Sequence, residues 1–185
     1  MTASSIKPIT LAVVFVLLMG AIVLAPIPEA HAPPDCIWTG TGLWTDTSHW
    51  SCGHVPGTSD SVEIASGTVT VTGTQSYGFI HVDSGATLTC DSCTLTSSAS
   101  GGDITIDAGG TFNNDGGTIT VLDGELTNSG TFNNRGIFQL TNGAGFILNQ
   151  AGGTIFNTGT ISAGGSIPNS GTIINCGGTI TAVGR

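Results

Sequence analysis

Residues 110–134 read GTFNNDGGTITVLDGELTNSGTFNN, with the pentapeptide Gly-Thr-Phe-Asn-Asn at both ends and its glycines twenty positions apart. Within the stretch, Thr118-Ile119-Thr120-Val121 alternates polar and apolar residues, which puts Ile119 and Val121 on one face of a short strand. Related units run from Gly67 to the end, among them GTVTV, GATLTC, GDITID, GELTN, GIFQL, GTIFN, GTISA and GTIIN. Each is too short for a helix and has one face to bury, so the copies must stack to make a shared core. Taken in threes, the units form coils beginning near Gly110, Gly130, Gly153 and Gly171. The expected fold is all-β, a right-handed parallel β-helix of about 20 residues per three-strand coil. An antiparallel sandwich is the alternative, but it needs hairpin turns and longer strands.

That period makes a stacking ladder in which Phe132 lies over Phe112 and Asn133 over Asn113. Asn114, Asn134, Asn157, Asn169 and Asn175 also close units, where a side-chain amide can bond its counterpart one coil away.

Composition bounds the rest. Charged residues make up 8% of the 185 and the net charge is −9. Lys7 precedes an apolar run from Ile9 to Ala25, and Ala30-His31-Ala32 offers a small-x-small cleavage site, so residues 1–32 read as a signal peptide or an uncleaved N-terminal membrane anchor. Membrane contact is expected only through residues 9–25, and the remainder is secreted or held at the cell surface. Beyond residue 32 eleven acidic residues face only Arg135 and Arg185. Nucleic acid is thereby excluded as a partner, because phosphate binding needs clustered Lys and Arg.

All five cysteines lie in the exported part, where disulfides are permitted. Cys36 and Cys52 flank the tryptophan-rich segment and are expected to pair. Cys90 and Cys93 sit in CDSC, with their state open, and Cys176 is expected to be buried and inert, the alternative being covalent association between chains. Trp38, Trp44 and Trp50 recur every six residues. Concentrated just before the first repeat, they suit a cap over the first coil, giving a disulfide-pinned cap at 33–66 and repeats at 67–185. The alternative is a carbohydrate-stacking platform, which needs at least one tryptophan face open to solvent.

The pattern of Trp44, Trp50, Gly53, Val55-Pro56-Gly57, Asp60, Val62, Ile64 and Gly67 resembles the opening of the eight-glycine domain and related entry segments of bacterial and archaeal β-helical surface proteins. The resemblance implies an extracellular β-helical protein, adhesin-like or linked to surface glycans. In terms of the residues themselves, Pro56-Gly57 turns the chain into a strand with Val62 and Ile64 inward, and Asp60 accepts backbone hydrogen bonds at that turn.

Candidate chemistry is sparse. A polysaccharide lyase needs Lys or Arg beside a uronate, and the chain offers almost none. A glycosidase needs two carboxyl groups about 5 to 9.5 Å apart. The available acids are Asp103 and Asp107, Asp123 and Glu125, and Asp83 beside His81, none in a recognisable motif. His49, Cys52 and His54 could ligate a metal only if Cys52 were reduced, and Cys90-x2-Cys93 lacks a second such pair. Threonine pairs such as Thr68/Thr70, Thr87/Thr89, Thr118/Thr120 and Thr179/Thr181 raise ice binding, but they do not recur at one fixed interval.

The sequence thus leads to an exported cell-surface structural or adhesive β-solenoid without catalytic residues, metal or cofactor. Its expected partners are surface glycans, other surface proteins or further copies of itself stacked end to end. The alternative is an extracellular glycan-binding module using Trp38, Trp44 and Trp50.

Overall fold

The computed structural model describes residues 34–98 and 101–183. The expected signal or anchor at 1–32 lies outside them. The chain winds as a β-solenoid of about six turns, with about 21 residues per turn. The first turn holds β1 (Cys36–Trp38) and β2 (Thr41–Leu43), followed by a 3-10 turn at Thr47–His49. The second holds β3 (Ser61–Ile64), β4 (Thr68–Val71) and β5 (Thr74–Tyr77). Next come β6 (Phe79–Val82), β7 (Thr87–Asp91) and β8 (Thr94–Ser97), then β9 (Ile104–Ile106), β10 (Thr111–Asp115) and β11 (Thr118–Val121). The pattern continues with β12 (Leu126–Asn128), β13 (Thr131–Asn134) and β14 (Ile137–Leu140), and with β15 (Ile147–Asn149), β16 (Thr154–Asn157) and β17 (Thr160–Ala163). The last described strands are β18 (Thr172–Asn175) and β19 (Thr179–Ala182).

Corresponding strands of successive turns pair in parallel into three sheets. The first sheet runs β1-β3-β6-β9-β12-β15, the second β2-β4-β7-β10-β13-β16-β18, and the third β5-β8-β11-β14-β17-β19. Thr111, Phe112, Asn113 and Asn114 pair with Thr131, Phe132, Asn133 and Asn134, so the twenty-residue interval is one turn. The phenyl rings of Phe112 and Phe132 lie 5.4 Å apart and the Asn133 amide donates to Asn113 Oδ1 at 2.9 Å.

Register is fixed because the inner strands each bury one face, as the alternating burial of β3, β4, β11 and β13 shows. Val69, Leu88, Phe112, Phe132 and Ile155 form one inward column of the second sheet, all at most 1% exposed. A slip of one residue would turn that whole column to solvent. Each such side chain contributes about 1.5 to 3 kcal/mol on burial.

The corners between sheets are held by polar side chains inside the coil. Asn114 donates to Asn134, Asn134 to Asn157 and Asn157 to Asn175, at 2.7 to 2.9 Å. A second ladder runs Asn128 to Asn149 to Asn169 at another corner, at 2.8 and 2.7 Å. One turn before Asn114 the equivalent residue is Cys90, which is bonded to Cys93. The disulfide therefore occupies the corner where later turns use asparagine.

The tryptophan segment is itself a turn of the solenoid. β1 pairs with β3 and β2 with β4, so residues 36–43 join the same sheets as the repeats, and only the third side is replaced by the 3-10 turn. At Gly67, φ is +77° and an added Cβ would fall 1.9 Å from the carbonyl oxygen of Gly40. Only glycine lets the second turn approach the first this closely.

Candidate functional site

The entry turn is closed. Trp38 and Trp44 are fully buried and Trp50 is 3% exposed. Trp50 packs edge-on against both others at 4.9 Å, and its Nε1 donates to the Trp44 carbonyl at 2.7 Å. Cys36 and Cys52 are bonded across the segment, with Cα atoms 5.0 Å apart. No ring offers a free face to a sugar, which argues against the alternative of a stacking platform at Trp38, Trp44 and Trp50: their area lies in the core of the first turn.

The nearby polar residues serve the backbone. Asp60 accepts the Gly57 amide at 2.7 Å, and His54 Nε2 lies 3.3 Å from the same carboxylate. Asp46 caps the 3-10 turn through Ser48, and these hydrogen bonds hold its carboxyl below the ordinary range. Asp35 is lowered in the same way by the Ser61 amide and hydroxyl. His49 stacks on Trp38 at 4.7 Å with Nδ1 2.7 Å from the Thr39 carbonyl. The set His49, Cys52 and His54 is thus dispersed, with Cys52 consumed by its disulfide.

Cys176 is exposed, contrary to the expected burial. It follows the ladder residue Asn175 at the outward corner taken by Arg135 and Thr158 in earlier turns, with its amide bonded to the Asn157 carbonyl as theirs are to Asn114 and Asn134. The position faces solvent in every turn. Arg135 there pairs with Asp115.

The acids considered for hydrolysis fall into two places. Asp103, Asp123 and Glu125 line a shallow cleft with Asn142 and Gly145. Asp103 accepts the Glu125 amide at 2.8 Å and Asp123 accepts the Asn142 amide. Burial, and then the charge of Asp103, raises the Glu125 carboxyl above its ordinary value. Asp107, at the far end of β9 from Asp103, instead joins His81 and Asp83. His81 Nε2 lies 3.1 Å from Asp107 Oδ1 and 3.7 Å from Asp83 Oδ1. Glu63, in register with His81, is raised by burial and by Asp83.

The outer faces of the second and third sheets carry columns of hydroxyls. On the second sheet, Thr41, Thr68, Thr87, Thr111, Thr131, Thr154 and Thr172 stand in one column, one per strand. On the third sheet two columns run side by side. Thr74, Thr94, Thr118, Ile137, Thr160 and Thr179 form one, and Ser76, Thr96, Thr120, Gln139, Ser162 and Thr181 the other. Neighbouring hydroxyl positions are about 4.8 Å apart along the axis and about 6.6 Å along the strand. The threonines recur after 19, 24, 20, 23 and 18 residues from Thr68, so corner insertions hide in the sequence an alignment that the coil restores.

These features define a disulfide-pinned, hydroxyl-faced β-solenoid of the kind found as a module in surface proteins. The model of one family, the BigA fourth domain, matches residues 46–184, and the chain belongs to that family. BigA-type domains occur in bacterial surface proteins, in keeping with an extracytoplasmic, adhesin-like role. No curated protein and no solved structure matches the chain.

Proposed function

We propose that this chain is an exported, non-catalytic module of the cell surface, structural and adhesive, which presents the two-column face of the third sheet as a rigid contact surface. The observation that carries this reading is the register of those columns, with hydroxyl residues on five of six strands. A flat row of short, conformationally stiff side chains makes many weak hydrogen bonds at little entropic cost. With a net charge of −9, the partner is an uncharged or cationic surface, such as neutral glycan, rather than an anionic one. The resemblance of residues 44–67 to eight-glycine entry segments supports the same setting. Replacing Thr96 and Thr120 with lysine should abolish retention on neutral polysaccharide while leaving the fold intact; unchanged retention would refute the assignment of this face.

The same columns favour a second reading, adsorption to ice, because a periodic hydroxyl array can match a hydrogen-bonded lattice. Inhibition of ice recrystallisation by the purified protein would select that reading over glycan adhesion.

A further inference from the structure

We propose that His81, Asp83 and Asp107 bind a single divalent transition-metal ion of the zinc class on the outer face of the first sheet. In the sequence only His81 and Asp83 are neighbours; Asp107 is 26 residues from His81, and the winding of the chain brings it to them. His81 ends inside β6 and Asp83 directly follows it, while Asp107 follows β9 in the adjacent strand, with its amide bonded to the Val82 carbonyl. One ligand atom from each residue lies within 4.8 Å of the other two. A tetrahedral ion with donor bonds of about 2.0 to 2.1 Å holds its donors about 3.3 Å apart. The separations of 3.1 and 3.7 Å from His81 Nε2 straddle that value.

Two further observations point to a cation. His81 Nε2 is shielded from solvent and lies between two carboxylates without a directed hydrogen bond to either. Glu63, one turn earlier and in register with His81, brings a further carboxyl group to the cluster. The side chains of His81, Asp83 and Asp107 are 35%, 29% and 49% exposed, which leaves a route for an ion to enter. One imidazole with carboxylates suits zinc and its neighbours, whereas calcium takes six to eight oxygens. The other candidate set, Cys36, Cys52 and His54, has both sulfurs tied in a disulfide. Bound here, an ion would clamp two adjacent turns from outside.

The test is calorimetric titration of the purified exported chain with zinc chloride, together with visible absorption on adding cobalt. One equivalent should bind, with cobalt bands of tetrahedral intensity and a rise in melting temperature. His81→Ala and Asp107→Asn should each weaken binding at least about tenfold, whereas Asp123→Asn in the separate cleft should leave it unchanged, all three keeping the β circular dichroism of the parent. Absence of zinc binding, undiminished binding by His81→Ala, or equal competition by calcium with equal losses in Asp107→Asn and Asp123→Asn would overturn the proposal.

Discussion

Among single residues, the buried asparagines carry the most structural information. Asn134 both accepts from Asn114 and donates to Asn157, and its amide also reaches the Thr160 carbonyl at 3.0 Å. Asn134→Ala should therefore strand two neighbours and destabilise the fold by about 2 kcal/mol or more, whereas Asn175→Ala at the exposed end should cost under about 1 kcal/mol. Chemical denaturation of the two variants checks the order. The ladder through Asn113 and Asn133 is legible in the repeated pentapeptide, but the Asn128–Asn149 corner is not. Its members close GELTN and GFILN, units that agree at no position between the glycine and the asparagine, so only the three-dimensional register aligns them.

Glu125 gives a second residue-scale expectation. Burial and Asp103 raise its folded pKa, so the folded state holds the proton more tightly than the unfolded chain does. The resulting stability is full below the ordinary glutamate range and is lost as pH rises through the folded value. Glu125→Gln should raise the melting temperature near about pH 7 and leave it unchanged near about pH 3. Equal shifts at both values would show that the side chain acts through packing instead.

At the scale of elements, the first turn depends on its covalent staple. The Cys36–Cys52 link spans 16 residues around one 3-10 turn and three tryptophans. Loop closure of that size contributes about 3 kcal/mol, so Cys36→Ser with Cys52→Ser should lower the melting temperature and shift tryptophan emission to the red. In the parent, acrylamide should quench that emission poorly, because the rings are buried. The sequence placed these tryptophans at the start of the solenoid without revealing that β1 and β2 belong to its sheets. Strands of three residues containing Gly42 carry too little alternation to be read as strands. Cys176 misled for a related reason: burial preference is an average for the residue type, while an outward corner is set by register.

At the scale of the molecule, parallel stacking explains why so short a repeat folds at all. Each turn is stable only on its neighbours, and the entry turn covers one end with Trp38, Trp44 and Trp50.

If the solenoid works on the outside of the cell, as proposed, its folded repeat is accessible on intact cells. Antibodies raised against the folded repeat, applied to intact and to lysed producing cells, test it most directly. Intact cells should label fully and lose that signal when surface protein is shaved with protease. Labelling that appears only after lysis would contradict it.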